Sequence, residues 1–312
     1  MLAAGSSLNV APSVKLLPSM EVIRTISWMK EVSRQARAEN HIIGLVPTMG
    51  ALHEGHFSLI RRARQECSKV FASIFVNPKQ FGPNEDFAKY PRAFESDVEQ
   101  LAAAGVDAVF APEAAEMYPG GFHSYVNVEG LSERLEGRTR PGHFRGVATI
   151  VLKLFQIFQP HVAYFGRKDA QQVRIVQQMA RDLNLDVEIA VCPIVRERDG
   201  LALSSRNSYL SAQERAAATV LHRALDAAGK AIAFGTRDAL ELQRIVREVV
   251  EREALATLDY AEIVDAETFE PVVRLARSSY VLLAVFLGKT RLIDNLFISP
   301  SPADPDELVL SL

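Results

Sequence analysis

"HIIGLVPTMGALHEGHFSLIRRARQECSKVFASIFVN", residues 41–77, decides the fold of this chain. Its opening HIIGLVPT is an apolar run of strand length, residues 55 to 67 read as a helix, and KVFASIFVN (69–77) is apolar again. Strand, helix and strand in so short a span form the crossover unit of a parallel sheet, because antiparallel neighbours would need only a tight turn.

The pattern repeats on both sides. Upstream, MEVIRTISWMKEVSRQA (20–36) sets Ile26, Met29 and Val32 at three-residue spacing, which predicts an amphipathic helix. Downstream come the helix FESDVEQLAAAG (94–105), the strand DAVFAP (107–112), a helix near 145–159, the strand VAYFG (162–166), the helix DAQQVRIVQQMARDLN (169–184) and the strand DVEIAVCPIV (186–195). Strands alternating with helices of this length place the chain in the α/β class. Past residue 196 the alternation stops. Two long helices (211–234 and 237–254) precede strand-like runs at YAEIVD, YVLLAVFLG and RLIDNLFI, which predicts a smaller α+β domain. The expected units are 20–198 and 199–300, with loose ends at 1–19 and 301–312.

Composition narrows the function classes. With 312 residues the chain is long enough for two domains, and 48% hydrophobic with 23% charged residues is ordinary for a globular protein. The most apolar run, SYVLLAVFLG (279–288), is far below the ~20 residues of a membrane-spanning helix, so no membrane partner is expected. A net charge of −3 without a basic block argues against nucleic acid. The two cysteines, Cys67 and Cys192, fit no metal-ligand spacing, which favours a reduced, cytoplasmic protein. The leader has one Lys and no Arg, too little charge for a transit peptide.

Ligands of open parallel sheets sit beyond the carboxyl ends of the strands, and the polar motifs of this chain fall there. PTMGALHEGH leaves the first strand and opens a helix, so backbone N–H groups and the helix dipole meet an anion. Gly50 and Gly55 permit close approach, and His53 and His56 share one side of the helix start, where they can donate to phosphate oxygens. The plainer readings are surface histidines or a metal pair, although no third ligand cluster completes the latter.

FVNPKQFGPNEDFAKYPR (75–92) carries Asn77 and Gln80, amides suited to a polar substrate; on its own it reads as an ordinary loop. EGRTRPGHFRGVAT (136–149) sets three arginines in a Gly- and Pro-shaped loop, otherwise a solvated face. In YFGRKDAQQVR (164–174), Lys168 stands at a helix amino terminus, poor for the dipole but good for an anion, while Asp169 fits a plain N-cap. LALSSRNSYL (201–210) offers Ser204, Ser205 and Arg206 at the presumed hinge. Many donors and no nucleophile–base pair suit attack by a carboxylate on the α-phosphate of ATP, a step that needs charge stabilisation and no base.

GLVPTMGALHEGH, FVNPKQFGPNEDFAKYPR, RPGHFRGVATIV, FGRKDAQQ, LSSRNSYLS and GKTRLIDN, in this order, make the chain resemble the pantoate:beta-alanine ligase (pantothenate synthetase) family over residues 20–298. HEGH alone marks only the wider HxGH nucleotidyltransferases. The resemblance implies a Rossmann-like domain with a smaller carboxyl-terminal lid, a homodimer, and ATP with Mg2+. It implies condensation of D-pantoate with beta-alanine through a pantoyl adenylate, giving pantothenate, AMP and pyrophosphate.

By position, the resemblance assigns His53, His56 and Lys168 to the phosphates and closes Ser204, Ser205 and Arg206 over the β- and γ-phosphates. Pro47, Thr48 and Met49 wall the reacting centre beside Gly55, and Gly166 and Asp169 lie near the ribose. Gln80 and Gln172 grip pantoate, with Asn77 and Arg140 in its pocket. Metal ligands stay unassigned. Leu203 stands where the family commonly has Met, and AVFLG replaces a more polar run before KTRLIDN. Two other functions compete: nucleotidyl transfer to a phosphorylated acceptor by another HxGH enzyme, and a non-catalytic nucleotide sensor.

Overall fold

The computed structural model describes residues 20–83, 85–301 and 308–312, so the expected leader lies outside the described residues. The first unit runs β1 (Glu21–Ile23), α1 (Ile26–Ala38), β2 (Ile43–Thr48), α2 (Glu54–Glu66), β3 (Lys69–Ile74), α3 (Phe94–Ala103) and β4 (Ala108–Phe110). Two single-turn helices, α4 (Ala114–Met117) and α5 (Glu136–Thr139), precede α6 (His143–Phe158), β5 (Val162–Gly166), α7 (Ala170–Asp182) and β6 (Glu188–Cys192).

All six strands are parallel, in the order β1-β4-β3-β2-β5-β6. From β2 the chain winds outward through β3 and β4, then returns to β5 on the other side, so the winding reverses between β2 and β5. That is the switch point at which a crevice opens. Pairing of β2 with β5 spans only Gly44 and Leu45. Pro47 has no N–H to extend the ladder. The central strand buries Ile43, Leu45 and Val46 completely, as a strand covered on both faces must.

Several boundaries differ from expectation: the strand expected over 186–195 is shortened to Glu188–Cys192, the helix over 237–254 to Ala239–Glu251, and two differences in the first unit have a local cause. The helix expected from residue 20 starts at Ile26: residues 21–23 pair with β4 as an edge strand, and the Thr25 side chain accepts from the Trp28 N–H to cap α1. β3 ends at Ile74 rather than 77, because Asn77 caps a tight turn at Pro78–Gln80 by accepting from the Lys79 N–H.

The second unit holds α8 (Ala212–Ala217), α9 (Val220–Ala233), α10 (Ala239–Glu251), β7 (Ala256–Asp265), β8 (Ser279–Leu287), β9 (Thr290–Pro300) and β10 (Leu308–Ser311). The single helix expected over 211–234 is two. It breaks where the Thr219 hydroxyl donates to the Ala216 carbonyl in competition with the helical ladder. The sheet is antiparallel in the order β10-β9-β8-β7.

SYVLLAVFLG lacks polar alternation because β8 is covered on both faces. Val281, Leu283, Val285 and Leu287 pack with α9 and α10, while Tyr280, Leu282 and Ala284 join the core of the first unit. Each such aliphatic side chain contributes roughly 1.5–3 kcal/mol on burial, which fastens the two units together. Residues 308–311, expected within a loose end, pair with β9 as β10, and Leu308 and Leu310 pack on the second core; 302–307 lie outside the described residues. Among the described residues no helix is long and apolar enough to cross a membrane.

Candidate active site

The residues that the resemblance assigns to the site line one cavity of about 240 Å³ at the switch point, although Gly50 does not: Pro47, Thr48, Met49, His53, Gly55 and His56 from the β2–α2 turn, Asn77 and Gln80 after β3, Arg140 before α6, Gly166, Lys168, Asp169 and Gln172 at the β5–α7 junction, and Ser204, Ser205 and Arg206 from the second unit. A cleft of about 900 Å³ between the units shares Arg140, Lys168, Gln172 and Arg206 with it.

The β2–α2 turn is built on two residues with positive φ, Gly50 (82°) and Ala51 (51°). Asp97 of α3 makes this possible. Its carboxylate, 1% exposed, accepts from the N–H groups of Ala51 and Leu52 at 2.8 and 2.9 Å. A side chain at Gly50 would press on that carboxylate, with Cβ 2.9 Å from Oδ2.

His53 then caps α2. The Gly55 N–H donates to His53 Nδ1 (3.2 Å), and the His53 N–H donates to His56 Nδ1 (3.3 Å). The rings lie 4.2 Å apart. Because both Nδ1 atoms accept, each neutral ring carries its proton on Nε2. Burial, reinforced by the Lys168 charge, lowers the His53 pKa to about 4; burial, then His53 and Lys168, lower that of His56 to about 3. At neutral pH both rings are therefore uncharged donors, and Lys168 carries the positive charge beside them.

Asn77 is buried and fully used: Nδ2 donates to Gln80 Oε1 and to the Gly146 carbonyl (both 3.1 Å), and Oδ1 accepts from the Tyr118 hydroxyl and the Lys79 N–H. It acts on the cavity through Gln80. With Oε1 occupied, Gln80 turns Nε2 toward Met49 Sδ at 3.0 Å and presents donors to the cavity. Gly146 lets α6 press on this turn, since a Cβ there would stand 2.2 Å from the Lys79 oxygen. Arg140 is paired with Glu85 (3.0 and 2.5 Å) and donates to His143 Nε2 (3.2 Å), whose Nδ1–H donates to the Gln80 carbonyl (2.8 Å).

Asp169 occupies the N-cap position of α7 but makes no capping bond with its side chain, so the simple cap reading fails. Its carboxylate stands 3.8 Å from Lys168 Nζ. From the second unit, Ser205 Oγ meets the Tyr90 hydroxyl at 3.2 Å, and the Arg206 guanidinium grips Asp86 through two bonds of 2.9 and 3.0 Å. These bonds tie the 85–90 loop to the second unit. Sequence reasoning missed Asp86, Tyr90, Asp97 and His143. The first two and His143 stood inside quoted motifs; Asp97 lay in an unremarkable helix with no signal to mark it.

Besides its donors the cavity has apolar lining from Phe75, Val147, Ile150 and Leu154 and from Pro193, Ile194, Val195 and Leu203.

The sequence profile described as Pantoate-beta-alanine ligase matches residues 21–297. A relative named pantothenate synthetase from Acetivibrio thermocellus is 53% identical over 279 residues, 89% of this chain and 99% of its own. One from Koribacter versatilis is 54% identical over 89% of this chain and 96% of its own. The crystal structure of pantothenate synthetase from Thermus thermophilus superposes with a TM-score of 0.83 at 45% identity, covering 88% of this chain and 98% of that one. A pantoate-beta-alanine ligase from Francisella tularensis, described as complexed with beta-gamma ATP and beta-alanine, gives 0.72 at 36% identity over 89% and 97%.

Proposed function

The chain belongs to the pantoate-beta-alanine ligase family, and from that premise and the geometry of its cavity we propose that it condenses D-pantoate with beta-alanine at the expense of ATP, through a pantoyl adenylate. The pantoate carboxylate attacks the α-phosphorus; an O–P bond forms, the bond to the β-phosphate oxygen breaks, and pyrophosphate leaves. The beta-alanine amine then attacks the acyl carbon and AMP departs, leaving pantothenate.

One observation carries the reading: two neutral histidines, their Nε2–H groups fixed by capping bonds, stand beside Lys168 at a helix start. Donors held in place before charge develops on the phosphate oxygens stabilise that charge without reorganising. Gln80, oriented by Asn77, offers donors to pantoate's oxygens, Gln172 faces it, and the wall of Phe75, Val147 and Ile150 suits its geminal methyl groups. Ser204, Ser205 and Arg206 close on the outer phosphates, and Gly166 and Asp169 lie at the ribose.

Mg2+ is assigned to the nucleotide's phosphates, where it would neutralise charge. Among the described residues no group of three or more His, Cys, Asp or Glu forms a cage, which fits an ion held largely by substrate. The units divide at 198/199, with the second acting as a lid. The homodimer follows the family, and a cytoplasmic location agrees with two free, buried cysteines. Product analysis tests the activity: AMP and pantothenate should appear in equal amounts only when ATP, D-pantoate and beta-alanine are all present. A nucleotide joined to a phosphorylated acceptor instead would overturn it.

A further inference from the structure

GKTRLIDN supplies none of the groups assigned above, yet its last two residues are buried and each grips the parallel-sheet unit. Asn295 of β9, 1% exposed, donates from Nδ2 to the carbonyls of Arg167 and Lys168, both at 3.0 Å. These are the residues through which β5 turns into α7. Its neighbour Asp294 accepts two bonds from Arg196 (2.6 and 2.9 Å) and one from the Asn295 N–H (2.8 Å), which fixes where β9 lies against that turn.

Two further features point to the amide as a tool rather than filler. Among the described residues the Asn295 Oδ1 is buried without a partner, a cost that an apolar packing residue would not carry. And the Lys168 ammonium stands 3.8 Å from the Asp169 carboxylate, beyond hydrogen-bond range, so that pairing leaves its tip loosely held.

We propose that Asn295 is a positioning residue for Lys168: by holding two consecutive carbonyls, it aims the lysine at the phosphates and makes that aim depend on the second unit being seated. The inference rests on the phosphate role given to Lys168 above. A residue that merely joined the two units would affect stability and all substrates alike. A positioning residue acts through Lys168 and only on the step that Lys168 serves.

The test is a double-mutant cycle of Asn295→Ala and Lys168→Ala, read as pyrophosphate release from ATP and D-pantoate. Asn295→Ala should lower kcat by on the order of tenfold or more with the Kd for D-pantoate unchanged. In the Lys168→Ala background it should cost less than about threefold. Equal losses in both backgrounds, or a single variant with unchanged kcat, overturn the proposal. If the alanine variant does not fold, Asn295→Ser, whose hydroxyl can serve one of the two carbonyls, runs through the same cycle. Wild-type protein releasing no pyrophosphate would instead sink the ligase reading. Amide exchange then decides on Asn295 alone: exchange over 167–172 should quicken about tenfold in the variant, and unchanged exchange refutes the clamp.

Discussion

Replacing Gly55 with Ala separates catalysis from stability. The His53 ring folds over Gly55, and a Cβ there would stand 2.8 Å from Cε1 and 2.9 Å from Nδ1. The ring must retreat by about 0.6 Å to reach ordinary contact, which strains the bond from the Gly55 N–H to Nδ1 and swings Nε2–H off line. Losing the cap costs about 1 kcal/mol, and exchanging Gly for Ala in the first helical turn returns roughly 0.5–1 kcal/mol. Net stability should therefore move by less than about 1 kcal/mol. Adenylation should fall on the order of a hundredfold, as a displaced transition-state donor dictates. Urea unfolding measures the first quantity and pyrophosphate release with D-pantoate and ATP the second. A variant within threefold of wild-type rate would refute the reasoning, as would a rate loss matched by several kcal/mol of destabilisation.

Other substitutions probe the same frame. Gln80→Ala should weaken binding of D-pantoate far more than that of ATP, and calorimetric titrations showing equal losses would remove Gln80 from the pantoate pocket. Asp97→Ala leaves the Ala51 and Leu52 N–H groups without their acceptor and should lower unfolding free energy by about 2 kcal/mol or more; an unchanged urea midpoint would mean that the turn holds itself. His53, His56 and His143 have folded pKa values of about 4, 3 and 4, below the ordinary 6.5. Below pH 6.5 the unfolded chain therefore takes up protons that the folded one refuses. Stability should fall on acidification from pH 6.5 toward 5, at up to about 1.4 kcal/mol per pH unit for each histidine. His56→Gln should flatten that slope, and a midpoint constant from pH 7 to 5 would contradict it.

The parallel sheet was legible because period and length agree: HIIGLVPT and KVFASIFVN flank a helix, and only a crossover joins them that way. The site was legible because its chemistry sits on strand ends, which are contiguous in sequence. What escaped was set by distant partners. Nothing in FESDVEQL says that Asp97 will reach the turn at Ala51, and nothing in the motif around Arg206 says that Asp86 will hold it. The tail LVLSL looked loose beside so many prolines, and only the free edge of β9 explains why it pairs. The edge strand at 21–23 was hidden in the same way, since its three residues carry no period of their own and its partner is β4.

The central claim is that the cavity activates a carboxylate by adenylation. D-pantoate labelled with 18O in its carboxylate, turned over with ATP and beta-alanine, tests it directly. The account predicts AMP carrying one 18O atom and pyrophosphate carrying none. Label in orthophosphate, or AMP free of label, would contradict it.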